Sequence, residues 1–554
     1  MASSGIRQGA AARIHQLRPG KRSQMESLTC DLFAPGMTPL HRAGLGGLVS
    51  TLRWIEKSLP DEERPPGQWT IDGRSVILSW EEAEGRKSFF DRLFSLAFQI
   101  QEGLIYLPGQ YGELAPPLEV RAALHEGLLL SFYAHGPTSR GSETATESTY
   151  EVDDKLVSYR YLPLSWYKHQ NTEGHGRGKD GSTLIVDSLT EPIGLTSALF
   201  PGAIQRHAAH SASQVVQNAE LVLPLLFAPV GTMALKAGGK KVNDRGKRKF
   251  KPGAALLIPD LNTLSEVEYF LPTIIPRTAR DCQVANVADA ALQAELRLRS
   301  RNLLDPETLS AIRCVWCCPT DWNSRLQPPS AVTEVSVDTT YIALDQFEIA
   351  MAVLAPPLPR QTKKGESFWP KSYTRPFIAE NLALGRPWYA GFTRLMTAKD
   401  ETMKKPKPIR DFLKFERGGL HTMTEEIPWD HSGEKAIVRA VHEAMRCRYG
   451  RIAAENIRNQ AAMKNRMTRE YERQRLAFVG AKTADALRHA LADLWSRAGS
   501  NSVLRESWPY VLPLLSNTKW QLTRDLALIA LASYQGKEQE NIDLTETETD
   551  EVEE

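Results

Sequence analysis

Seven cationic side chains crowd the stretch GGKKVNDRGKRKFKPG, Gly238 to Gly253, against one carboxylate, Asp244. They are Lys240, Lys241, Arg245, Lys247, Arg248, Lys249 and Lys251. No member of that set is a nucleophile or a general base at neutral pH. Such a density holds anions in place, and phosphate is the anion it suits best. Asn243 adds an amide that can reach a base edge while its neighbours hold the backbone. The flanking runs ELVLPLLFAPVGTMAL and AALLIPDL are apolar, so the stretch is predicted to be a tip between two strand-like segments.

Two further stretches are basic. Residues 399–417 supply Lys399, Lys404, Lys405, Lys407, Arg410, Lys414 and Arg417. Beyond them come Arg439, Arg446, Arg448, Arg451, Arg458, Lys464, Arg466, Arg469, Arg473 and Arg475. Arginine dominates there, and its planar fork binds phosphate bidentately. Arg448, Arg451 and Arg458 are spaced by three and seven residues, which places them near one side of a helix. A lone basic run is more often a solvated face than a site. Three runs beside a segregated acidic tail favour nucleic acid.

Chemistry of other kinds finds little support. In GHGRGKDGST, Lys179 has Glu173 where a P-loop requires glycine and is followed by Asp180, so that phosphate cradle fails. His207 and His210 share a helical face, but no acidic residue stands at a metal-ligand interval, and an ordinary histidine pair is the better reading. No G-x-S-x-G or H-E-x-x-H occurs. Cysteines stand at 30, 282, 314, 317, 318 and 447. The C-x-x-C at Cys314 has no second pair at zinc-ribbon spacing, so reduced thiols are expected, with no disulfide and no structural zinc. No catalytic residue, metal or cofactor is assigned.

The elements that must position these charges divide the chain. Net charge is +2, from 68 Lys and Arg against 66 Asp and Glu, but Glu538 to Glu554 holds nine carboxylates and no base. Without that tail the chain is clearly basic, which favours an anionic partner. No apolar run is long enough to span a membrane, and a cytoplasmic location is expected. Residues 1–25 are read as an extension, since Met25 opens the first folded segment. LHRAGLGGLVSTLRWIEK has helical spacing, and Gly44, Gly46 and Gly47 give it a thin flank for close packing against another backbone. QWTIDGRSVILSW reads as a hairpin with a type I′ turn at Asp72-Gly73. Helices are predicted in SFFDRLFSLAFQI, in PLEVRAALHEGLLLSFY behind Pro117, and from an Asp305 N-cap. Residues 136–182 read as long loops, and TTYIALDQFEIAMAVL as a strand. From about 430 strand signals vanish, and four or five helices form a bundle. The fold class is therefore α+β: an irregular mixed body over 26–429, an all-α bundle over 430–536, and a solvated acidic tail over 537–554.

Two stretches carry a family resemblance. DLFAPGMTPLHRAGLGGLVSTLR resembles the opening of the large subunit of type I CRISPR Cascade complexes, in the MYXAN branch of I-B/I-A-like systems. MKNRMTREYERQRLAF and LADLWSRAGSN are similar to that family's helical C-terminal domain. The resemblance implies a subunit without a catalytic site. Such a subunit sits in a guide CRISPR RNA complex with other Cascade subunits, reads a motif flanking the target in double-stranded DNA, and aids duplex opening and R-loop stabilisation. It also implies recruitment of a helicase-nuclease, or of transposition proteins, and a bundle similar to the small subunit, sometimes made from an internal start such as Met403 or Met423. On this reading the 238–253 tip meets the flanking duplex. Lys404, Lys405, Lys407, Arg410, Arg446, Arg448, Arg451, Arg458, Lys464, Arg466, Arg469 and Arg473 line a strand path. A nucleic-acid-processing enzyme with a dispersed active site and a basic assembly scaffold are the alternatives.

Overall fold

The computed structural model describes residues 25–134, 139–152, 154–170, 185, 189–194, 216–244, 247–317, 332–336, 341–354, 360–361, 367–368, 371–401, 406–429 and 431–536, over 239–251 as backbone. A mixed N-terminal body is followed by a run of helices.

The body opens with a three-stranded antiparallel sheet. β1 (Met25–Asp31) and β2 (Gln68–Ile71) flank β3 (Ser75–Glu81). The hairpin at Asp72 forms, but neither Asp72 nor Gly73 has a positive φ, so the turn is not type I′. The Asp72 carboxylate instead accepts the amides of Arg74 at 2.7 Å and Ser75 at 2.6 Å, fixing the turn through a side chain. Helix α1 (Pro39–Ser58) begins with proline at its first position. Its glycine flank meets another backbone as the sequence implies. A Cβ added at Gly44 would strike the carbonyl of Pro224, and one at Gly231 would strike that of Ala43. Helix α2 (Glu82–Ala97) buries Phe89 and Phe90 against Trp80, with ring centroids 5.6 and 5.2 Å away. Each such aromatic pair adds about 0.5–1.5 kcal/mol beyond its buried area. Helix α3 (Leu118–Leu130) starts behind Pro117.

The apolar run before the basic stretch is mostly not a strand. Residues Ala219–Gly231 form helix α4, buried from Val222 to Gly231 and containing Pro224 and Pro229. Proline cannot serve a central sheet ladder, whereas here buried Gln110 donates to the carbonyls of Val230 and Thr232 at the helix end, at 3.1 and 2.5 Å. Nor are the described residues of 136–182 all loop. They include β4 (Ser139–Gly141), β5 (Thr146–Val152), β6 (Lys155–Tyr161) and β7 (Leu164–Tyr167). Pairing of Ser148 with Tyr159 and Tyr150 with Val157 puts the hairpin's apolar positions on one face, where Tyr161 and Tyr159 pack with Ala122 and Leu118 of α3.

The central sheet is antiparallel throughout, in the order β8 (Met233–Asp244), β9 (Lys247–Leu261), β10 (Leu309–Cys317), β11 (Val332–Ser336). Helix α5 (Val287–Arg299) packs on it. The helix predicted from Asp305 is only a turn, in which Asp305 accepts the amide of Glu307 at 3.0 Å. LSAIRCVWC then joins the sheet, because its alternating β-branched and aromatic residues gain a partner strand on each side. TTYIALDQFEIAMAVL is not a strand either. Its described part is helix α6 (Tyr341–Val353), with Leu344, Phe347 and Ala350 buried at spacings of three. Cys314 and Cys317 lie buried on β10, and the described cysteines are all free thiols.

Helices α7 (Thr374–Ala383), α8 (Phe392–Thr397) and α9 (Arg410–Glu426) lead into the bundle. That bundle comprises α10 (Ser432–Glu455), α11 (Gln460–Gly480), α12 (Ala484–Ala498), α13 (Ser502–Val511) and α14 (Trp520–Ser533). Side chains of Asn459, Thr483 and Asn501 cap three of these helices by accepting backbone amides, each worth about 1 kcal/mol. Helix α14 is buried from Asp525 to Ser533 and forms the centre, with α9, α10 and α11 around it.

Candidate nucleic-acid interface

The 238–253 stretch is a two-stranded ribbon projecting from the central sheet. Strand β9 pairs with β10 only as far as Ala254, opposite Cys317. Beyond that pair β8 and β9 continue together without a third described strand. Ala237 faces Gly253, Lys240 faces Lys251, Lys241 faces Phe250, Val242 faces Lys249, Asn243 faces Arg248, and Asp244 faces Lys247. At about 3.3 Å per residue the ribbon stands roughly 20 Å clear of the sheet. Residues directly opposite share a face, so Lys240, Lys247, Lys249 and Lys251 occupy positions on one side. Asn243, Arg248 and Lys241 occupy the other. The amide position and the ammonium-rich face are thus separated by the pleat. Arg245 lies outside the described residues.

The ribbon's root is shaped by glycine. A bulge between Ala237 and Lys240 leaves Gly238 and Gly239 out of register, which adds twist where the ribbon departs. On the opposite strand a Cβ at Gly253 would fall 2.5 Å from both the Cys317 carbonyl and the Trp316 ring. Ala237 also bridges to Val284, and Lys236 pairs with Glu126 at 2.6 Å. The base is therefore pinned on both edges.

The second and third basic stretches fare differently. Lys404 and Lys405 lie outside the described residues. Lys407 starts a two-residue strand opposite Asp400, and Arg410 stands 3.6 Å from Asp411. In the bundle most candidate arginines hold the fold. Arg446 grips Glu443 bidentately at 2.7 Å, and that hydrogen-bonded guanidinium holds the Glu443 carboxyl below its usual range. Arg448 and Arg473 both reach the buried Glu470, and Arg466 pairs with Glu455 at 2.7 Å. Arg451 donates to the carbonyls of Arg497 at 2.7 Å and Ala498 at 2.9 Å, closing the end of α12. Helix α10 stops at Glu455, so Arg458 stands in the following turn and does not continue the Arg448–Arg451 face. Arg458, Lys464 and Arg469 are exposed and have no side-chain partner among the described residues. Spacing along the sequence finds cations. It does not say which of them a nearby carboxylate or helix end has already taken.

One surface feature had no signal in the charge pattern. Trp508, Tyr510 and Leu512 are 41, 56 and 53% exposed at the end of α13, with Trp508 edge-on to Trp495 at 5.1 Å. Read as a sequence, SWPYVLP looks like a proline-broken helix end, and only packing reveals which face is bare. His207, His210 and the 174–183 glycine-rich loop lie outside the described residues. Among the described residues no group of three or more His, Cys, Asp or Glu is placed to hold a metal, and no helix is long and apolar enough to cross a membrane.

Comparison with known proteins gives consistent matches at both ends of the chain. Residues 29–226 match the DevT N-terminal domain family, and residues 425–554 the DevT C-terminal domain family. The chain is also 33% identical over 572 residues to the CRISPR-associated protein Cas8a1/Csx13 of Myxococcus xanthus (strain DK1622), covering 98% of this chain and 95% of that protein.

Proposed function

The chain belongs to the Cas8a1/Csx13 family of CRISPR-associated proteins, and from that premise we propose that it is the large subunit of a type I Cascade complex that acts by binding rather than by chemistry. Its partners are a guide RNA, the other complex subunits and target DNA. Pairing with the guide reads the target sequence, so the protein has only to recognise a flanking duplex and hold strands. The observation that carries this reading is the cationic ribbon of β8 and β9, standing beyond the sheet with lysine positions on one face and Asn243 on the other. A ribbon of that width fits a groove, with the lysines on phosphates and the amide toward base edges. Arg458, Lys464 and Arg469, exposed and without a side-chain partner among the described residues, would guide a separated strand past the bundle, aiding R-loop formation. The same complex would then recruit a helicase-nuclease, or transposition proteins where it belongs to a transposon.

The test is duplex binding by the purified complex as a function of salt. Replacing Lys240, Lys241, Lys247, Arg248, Lys249 and Lys251 by Gln should weaken binding, and each lost phosphate contact should flatten the log–log salt slope by about 0.9. An unchanged slope in a complex that still assembles would remove the ribbon from the interface. A scaffold role is the second reading, favoured by the exposed Trp508, Tyr510 and Leu512 and by the number of bundle arginines already paired within the fold. Replacing Trp508 and Tyr510 by Ser should then release a neighbouring subunit while leaving DNA affinity per complex intact.

A further inference from the structure

Trp166 of β7 stands directly opposite Arg140 of β4, so the two side chains share a face. The Arg140 guanidinium lies over the indole, 5.6 Å from the ring centroid, within the range of a cation–π contact. We propose that Arg140, Trp166 and Lys168 form a subsite for one nucleotide of a single strand, its base stacked on the Arg140–Trp166 pair and its phosphate held by Lys168, an inference that rests on the nucleic-acid reading above. The direction in which this short piece of chain faces comes first. Tyr167 and His169 are fully buried and stack on each other with ring centroids 4.9 Å apart, and both meet Phe98 just past α2. Trp166 and Lys168 therefore lie on the opposite, outward side, one in β7 and the other opening a single 3-10 turn, Lys168–Gln170. Both are half-buried, and Arg140 is exposed.

The charges on this face are unmet. Arg121, Lys57 and Lys371 also sit over aromatic rings, at 5.9, 5.3 and 5.0 Å. Each of those also reaches a carboxylate, of Glu102, Glu113 and Asp400 respectively. Arg140 and Lys168 pair with no carboxylate among the described residues. Burial alone holds the Lys168 ammonium below the usual lysine range, with no neighbouring charge to offset it. A cation that has given up water without gaining a partner is satisfied by an incoming anion, and phosphate supplies one. An indole covered by a guanidinium offers a flat surface on which any base can stack, whatever its identity. A contact that merely fastened β4 to β7 would need neither the exposure of Arg140 nor an unpaired lysine beside it.

The experiment measures binding of the purified full chain to fluorescein-labelled oligo(U) and oligo(dT) between about 50 and 200 mM salt. Trp166→Ala should weaken binding about fivefold or more, the loss of one stacked base, with the salt slope unchanged. Lys168→Gln should flatten the log–log slope by about 0.7, the share of one single-strand phosphate. Arg140→Lys keeps the charge but loses the plane, so affinity should fall at constant slope. Trp166→Phe should retain most of the affinity that Trp166→Ala loses. Loss on oligo(U) assigns the site to the guide RNA, loss on oligo(dT) to a DNA strand, and loss on either supports the inference. Unchanged affinity and slope in Trp166→Ala, Lys168→Gln and Arg140→Lys overturn it. So does a loss in Trp166→Ala that only follows a lowered melting temperature and that Lys168→Gln does not share. A wild-type chain that binds neither oligonucleotide overturns it as well. Duplex binding through the ribbon should be unchanged in all these variants, so failure at this subsite leaves the nucleic-acid reading standing.

Discussion

Asp525 points out of the bundle's central helix and takes two amides from the body, Gly391 at 2.7 Å and Thr393 at 2.9 Å, with the Thr393 hydroxyl at 2.6 Å. Replacing it by Ala leaves those donors unpaired in a partly buried joint. The expected loss is about 2 kcal/mol in a denaturant titration, against about 1 kcal/mol for Thr393→Ala, which removes only one of the three hydrogen bonds to that carboxylate. Equal losses would mean that the carboxylate is not the joint. Glycine gives a sharper contrast, because the same substitution should change sign with its surroundings. A methyl at Gly44 is driven into the Pro224 carbonyl, whereas Gly450, within α10, has nothing within 4 Å of its added Cβ. Gly44→Ala should therefore destabilise by several kcal/mol, as overpacking does. Gly450→Ala should stabilise by about 0.5–1 kcal/mol through the unfolded chain. Thermal melts of the two variants would separate the cases, and a loss at both would argue against an open face at Gly450.

At the level of elements, the helix α9 decides between the two candidate internal starts. A product beginning at Met423 would lack Leu413 and Leu420, which α9 buries against the rest of the fold, whereas one beginning at Met403 keeps them. The longer product should be soluble and helical, and the shorter one should aggregate or melt at low temperature. A stable, cooperative Met423 product would show that α14 needs no such cover. What the sequence revealed about such elements followed the physics that sequence carries. The glycine flank of α1, the Asp72 hairpin and the helical run after residue 430 were legible, because periodicity and turn chemistry are local. The α4 and α6 assignments were not, since a short, wholly buried apolar run has no polar face to set its period. The β5–β6 hairpin hid behind a polar composition, as its apolar face is only one residue in two. At the candidate site the ribbon was visible as charge, but its length was not, because that depends on where a distant strand, β10, stops.

For the whole molecule, buried imidazoles predict how it responds to acid. Burial holds His125 and His442 down at about 4 and His169 at about 3, and lowers His41 in the same way, with the charge of neighbouring His421 adding to the effect at His442. In the unfolded chain each would take a proton near pH 6.5, so the unfolded state binds more protons below that point. Stability is full above about pH 6.5 and falls as the pH drops toward 4, by on the order of 3 kcal/mol for His125 alone. Melting temperature measured between pH 7 and pH 5 should decline over this range, and His125→Gln should flatten the decline. A flat profile would mean that these histidines are solvated in the native state.

Among the described residues, the projecting ribbon also has no neighbouring strand on either edge beyond the Ala254–Cys317 pair. An uncovered edge of that kind is an invitation to sheet extension by a second molecule, and lysine along the edge is a common defence against it. The seven cations that suit a phosphate backbone would therefore also keep copies of the protein apart by mutual repulsion. A ribbon stripped of charge would lose both properties at once. Light scattering on the free subunit should find the Gln-substituted ribbon self-associating as its concentration rises, and a single Pro at Val242 should suppress that growth without restoring any affinity for DNA.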